Sequence, residues 1–81
     1  MKPENLKEKL SLLCKLIETE FTGTPEQLAI IIGVTERTLR RYIEVLRQKG
    51  ADIRYSRSLQ TYYFASAHKF ELKPEYVHEL A

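Results

Sequence analysis

Eighty-one residues, 43% of them apolar and 30% charged, make one small domain, too hydrophobic for a disordered chain and too short for a deep catalytic cleft. The net charge of +2 is by itself no argument for a polyanionic partner. No apolar run approaches the roughly 18 residues that span a bilayer, and the single cysteine, Cys14, excludes an internal disulfide and a Cys-rich zinc cage.

The segment after Met1-Lys2-Pro3-Glu4 is charged and lacks a secretory core, so a soluble cytoplasmic protein without membrane contacts is expected. From Pro3 to Phe21 apolar residues fall at Leu6, Leu10, Leu13 and Ile17. That is the stripe of an amphipathic helix, which Leu12 and Leu16 widen and Thr22-Gly23 is expected to break. Thr24-Pro25-Glu26-Gln27 sets an N-cap Thr three residues before a Gln, with Pro at the first helical position, the pattern of a capping box. The helix it opens runs through Leu28 to Ile32 and stops at Gly33. Thr35 caps a third helix whose apolar members Leu39, Tyr42, Ile43 and Leu46 recur every three or four residues up to Lys49-Gly50.

After Gly50 the pattern turns β-branched and aromatic. Ile53-Arg54-Tyr55 and Thr61-Tyr62-Tyr63-Phe64, separated by the polar stretch from Ser56 to Gln60, predict a β-hairpin. About two of its four aromatics should pack inward and the rest face out. In the tail, Phe70-Glu71-Leu72 suggests a further short strand, and Pro74 opens a helical turn over Glu75 to Ala81.

Charge is uneven along these elements. Residues 35–57 hold Arg37, Arg40, Arg41, Arg47, Lys49, Arg54 and Arg57 against Glu36, Glu44 and Asp52, a net of +4, while the segments on either side are neutral or slightly acidic. Arginine dominates this stretch, and its planar fork suits phosphates and guanine edges.

The run Leu28-Ala29-x-x-Ile32-Gly33-Val34-Thr35-x-Arg37-Thr38-Leu39-Arg40-Arg41-x-Ile43-x-x-Leu46 resembles the helix-turn-helix of small bacterial winged-helix regulators, the biotin-repressor-like and DeoR-like families. In it Ala29 is small where two helices cross, Gly33 supplies a positive φ, Val34 fills the space under the turn, and Leu39, Ile43 and Leu46 anchor the second helix. Gly50-x-x-Ile53-x-Tyr55 followed by Tyr62-Tyr63-Phe64 is similar to the wing hairpin of those families, with Thr61 standing where they commonly have Gly. The resemblance spans residues 5–64. It implies a mainly α winged helix-turn-helix of three helices plus a small β-hairpin over residues 1–66. A short C-terminal extension, 67–81, is a candidate for dimerisation.

At 100° per residue Ile43 and Leu46 lie within about 40° of Leu39, whereas Arg37, Arg41 and Gln48 lie opposite and Thr38 and Arg40 flank them. Glu36, Arg40 and Glu44 can neutralise one another along one row, but Arg37 and Arg41 are like charges four apart. The resemblance implies that the start of this helix enters the major groove of double-stranded DNA, with Thr35, Arg37, Thr38 and Arg41 at the reading positions. Arg37 and Thr38 are then expected at base edges, and Arg40 and Arg41 at base edges or phosphate. Arg57 near the hairpin tip would meet phosphate or the minor groove, and the helix start at Thr24 and Gln27 could hold a phosphate.

A homodimer on a palindrome is expected, since one module contacts few base pairs. Ile30, at about 200° from Leu28, should leave the core. Beside Leu12 or Leu16 it would offer a self-association patch, and the alternative function is a winged helix whose surface with Ile30 and Ile31 binds protein while the basic helix is incidental. His68 and His78, ten apart without a third ligand, are expected at the surface, and Cys14 as a small buried hydrophobe. No G-x-x-x-x-G-K, H-E-x-x-H or G-x-S-x-G run is present. The expectation is a non-enzyme without cofactor, metal or small-molecule effector.

Overall fold

Asn5 decides where the first helix begins. In a computed structural model, which describes residues 5–66 and 70–80, Asn5 is extended and its Oδ1 accepts the Glu8 N–H at 2.8 Å. Helix α1 spans Leu6–Glu18, and Pro3 lies outside the described residues. Leu10, Leu13 and Ile17 are buried, with Leu6, Leu12 and Leu16 half-buried beside them. Its end comes earlier than Thr22-Gly23. Glu20 swings to φ 56, sending its N–H to the Ile17 carbonyl and that of Phe21 to Leu16. A glutamate thus occupies the left-handed position that usually takes glycine. Gly23, at φ 73, serves the next helix instead, because a Cβ there would run into the Gln27 carboxamide.

The capping box forms as read. The Thr24 Oγ1 accepts the Gln27 N–H at 3.2 Å and the Gln27 Oε1 accepts the Thr24 N–H at 2.9 Å, opening α2 over Pro25–Ile32. Gly33 closes it at φ 83, and the Val34 N–H reaches back to the Ala29 carbonyl at 2.9 Å. Thr35 then caps α3, Glu36–Gln48. Leu28, Ala29 and Ile32 of α2 join Leu39, Tyr42, Ile43 and Leu46 of α3 in one core with α1.

Strands β1 (Ile53–Ser56) and β2 (Thr61–Phe64) pair antiparallel with Ile53 opposite Phe64 and Tyr55 opposite Tyr62. Partners in register share a face, so Ile53, Tyr55, Tyr62 and Phe64 turn together toward the core and Arg54 and Tyr63 turn away. Three of the four hairpin aromatics, one more than expected, therefore face in. Tyr55 stands edge-on to Tyr62, ring centres 4.9 Å apart.

Thr61, which replaces the glycine of the resembling wings, has a definite task. It is buried, and its Oγ1 accepts the Thr22 N–H at 3.1 Å while the Tyr62 N–H bonds to the Thr22 Oγ1 at 2.8 Å. These bonds pin the loop between α1 and α2 to the wing. Thr61→Val keeps the shape but leaves the buried Thr22 N–H without its acceptor, an expected loss of about 1–3 kcal/mol. Urea unfolding of Thr61→Val beside Thr61→Ser checks this, since serine retains the acceptor and should retain most of the stability.

The tail departs from the sequence reading in one respect. Residues 70–73 form no strand; Phe70 stacks between Phe64 and Tyr76, at 6.2 and 6.0 Å between ring centres. Ring packing takes the place of a third ladder. The helical turn after Pro74 is a helix, α4, Pro74–Leu80, with Ala81 outside the described residues. It packs on α1 and α3, burying Leu80 and pairing Glu79 with Lys49 at 2.8 Å. Cys14 is half-buried, and burial, with Glu18 nearby, pushes its thiol up to about 11. His78 is exposed, whereas His68 lies outside the described residues.

Candidate nucleic-acid interface

With Leu39 and Leu46 fully buried and Ile43 nearly so, α3 has one rotational setting, and its reverse face carries Arg37, Arg41, Glu44 and Gln48, with Arg40 and Arg47 on the flank, all exposed. The helix start is organised by two threonines. The Thr35 Oγ1 accepts the Thr38 N–H and bonds to the Thr38 hydroxyl, both at 3.1 Å. Thr35 is therefore held by its capping task, and half-buried Thr38 keeps its own hydroxyl proton for an outside acceptor.

The seven cations of residues 35–57 separate into two groups. Arg40 lies 3.9 Å from Glu36, Arg47 lies 3.6 Å from Glu44, Lys49 pairs with Glu79, and Arg54 lies 3.2 Å from Asp52. Glu44 thus serves Arg47 and not Arg40, and Arg41, three residues before Glu44, makes no ion pair with it. Arg37, Arg41 and Arg57 have no acidic partner among the described residues. Two project from the outer face of the capped helix, and the third stands in the turn 57–60 at the tip of the wing, where Gln60 adopts φ 51. The Arg40–Glu36 contact is long and exposed, worth little in water, and leaves Arg40 available to a phosphate.

Two residues escaped the sequence reading. Arg47 is a brace: its Nε donates to the Ile53 carbonyl at 2.9 Å, tying the end of α3 to the start of the wing. Nothing in the local pattern announces a bond between a helix side chain and a strand carbonyl six residues on. Leu59 lies in the stretch from Ser56 to Gln60 that reads as polar, yet it is 71% exposed at the wing tip beside Arg57. An apolar residue in a hairpin turn too short to fold back was the available signal.

At the start of α2, Thr24 and Gln27 spend their side-chain acceptors on each other's N–H groups. Ile30 is 78% exposed, as its helical phase required, and Phe21 is 80% exposed. Among the described residues no helix is long and apolar enough to cross a membrane.

A tri-helical core, a sharp turn at Gly33, an outward arginine face on the second helix of the pair and a following hairpin define a DNA-binding helix-turn-helix protein of the winged type. A family model described as an HTH domain matches residues 8–63, well over half of the chain, and the chain belongs to that helix-turn-helix family. Comparison with curated proteins and with solved structures gave no match.

Proposed function

We propose that the protein is a small transcriptional regulator that binds a specific double-stranded DNA sequence as a homodimer in the cytoplasm of a bacterium. The supporting observation is the division of the basic segment: neighbouring carboxylates hold the peripheral cations, while Arg37, Arg41 and Arg57 stand exposed without acidic partners among the described residues. Uncompensated like charges four apart on a helix cost a few tenths of a kcal/mol, a cost that a polyanion removes. In this reading α3 lies in the major groove. Arg37 and Thr38 read base edges, Arg40 and Arg41 take a base edge or phosphate, and Thr35 holds the helix start against the backbone. Arg57 meets phosphate or a narrow minor groove, and the α2 start faces a phosphate with the Thr24 hydroxyl and the Gln27 side-chain amide, the backbone N–H groups of both residues being taken up by the capping box. Two copies are required because one module covers few base pairs.

Selection from random duplex DNA across a salt series tests this. Enrichment of a palindrome, with retention falling steeply as salt rises, is the expected result. Retention without sequence preference would reduce the function to general DNA association. The exposed Ile30 and Phe21 favour a second reading, a protein-binding winged helix. No retention near 50 mM salt, where phosphate contacts are strongest, together with loss of a partner on Ile30→Glu, would establish it.

A further inference from the structure

Helix α4 packs on α1 but does not close over its first turns. Between them lies a half-open cavity of about 330 Å³, walled by Leu72, Pro74 and Val77 on one side and by Lys7 and Ser11 of α1 on the other. Lys73 and His78 complete its rim. The apolar wall is hydrocarbon, and among the described residues every titratable side chain lining the cavity is basic. An apolar surface with a few convergent polar groups is the usual composition of a small-molecule site.

We infer that this cavity binds a small amphiphilic monoanion, with a carboxylate head between Lys7 and Lys73 and a hydrocarbon tail against Leu72 and Val77. The volume has room for about ten water-sized groups, which sets the length of the tail. A neutral hydrocarbon would leave the lysines unmatched, and a phosphate-bearing polymer would leave the apolar wall wet.

The site also has a mechanical connection. Val77 and His78 of α4 line the cavity, while Tyr76 and Glu79 hold Lys49 at the end of α3, Glu79 by an ion pair and Tyr76 by ring contact at 5.8 Å. A ligand that moves α4 therefore acts on the helix assigned to the major groove. This coupling rests on the DNA-binding reading, whereas the site itself does not.

The probe is sodium octanoate at submicellar concentration, with octanol and acetate as controls, followed by amide NMR shifts of the DNA-free protein. Expected are saturable shifts at Lys7, Ser11, Val77 and His78 with octanoate, binding of octanol at least tenfold weaker, and none with acetate. Lys7→Glu/Lys73→Glu should weaken octanoate at least tenfold with an unchanged circular dichroism spectrum, and Lys7→Gln/Lys73→Gln should weaken it in the same direction if the reversed charges disturb folding. No shifts, shifts centred elsewhere, or equal binding by both double variants overturn the site. Operator affinity measured with and without octanoate then tests the coupling. A change of threefold or more supports it, and no change with intact octanoate binding overturns it. A protein that binds octanoate and no DNA overturns only the DNA reading.

Discussion

Arg37→Ala/Arg41→Ala lowers affinity for the selected DNA site by at least about thirtyfold while leaving the thermal midpoint unchanged or slightly raised. A bidentate arginine contact to a base contributes about 1–3 kcal/mol, so two such contacts together account for about 2–6 kcal/mol. Neither side chain has an acidic partner among the described residues, and both lie on the exposed face of α3. Their removal breaks no ion pair of the fold and relieves a repulsion between charges four apart. Loss of binding without loss of stability is the informative combination, measured by fluorescence anisotropy and thermal melting on the same preparations. The salt dependence separates the two kinds of contact. If Arg41 touches phosphate, Arg41→Ala alone lowers the slope of log affinity against log salt by about one and weakens all sequences alike. If it reads a base, the slope is kept and preference relaxes at one position of the site. A double variant that binds as tightly as the parent would remove α3 from the interface.

The contrast between these arginines and their neighbours also marks what a sequence can disclose. Local signals with one physical solution were legible. Thr24 and Gln27 three apart with Pro25 between them can satisfy each other's N–H groups only at a helix start, and Gly33 between two apolar periodicities meets the positive φ observed there. The outward phase of Arg37, Arg41 and Ile30 followed from 100° per residue once Leu39 was set inward. What escaped depended on partners distant in sequence. Thr61 stood out only as a missing glycine, because its bonds run to Thr22, thirty-nine residues away. Lys49 looked like an ordinary basic last turn, yet it pairs with Glu79 on α4. Phe70 carried strand propensity, but Phe64 and Tyr76 offered its ring a stack and no third strand formed. The stop of α1 at Glu20 went unseen for a different reason, since a glutamate in the left-handed region leaves no compositional trace. In the candidate interface the types and phase of the residues were readable. Their ionic partners were not, because Glu44 has three arginines at helical spacing, Arg40, Arg41 and Arg47, and its contact in the fold is with Arg47.

Leu39→Ala is the counterpart of the arginine variant, a large loss of stability with no contact to DNA removed. The Leu39 side chain is fully buried where α3 meets α2, in one cluster with Leu28, Ile32 and Ile43. Truncation of a leucine in such a place costs about 2–5 kcal/mol, the larger values where the surroundings cannot collapse into the space. Here collapse is limited. Thr35 fixes one end of α3, and Arg47 and Lys49 tie the other to the wing and to α4. At roughly 0.05–0.15 kcal/mol per residue, a domain of this length has about 4–12 kcal/mol in total, so the variant loses from about a sixth to all of it. About 4–8 °C per kcal/mol for domains near this size puts the thermal midpoint lower by roughly 8–40 °C. Below its own transition the folded fraction still presents Arg37 and Arg41, so operator affinity per folded molecule should stay close to the parent value, and saturating DNA should raise the midpoint by mass action. If Leu39→Ala instead melts with the parent, Leu39 does not face the core. The phase of α3 is then wrong by about half a turn, and the outward assignment of Arg37 and Arg41 falls with it.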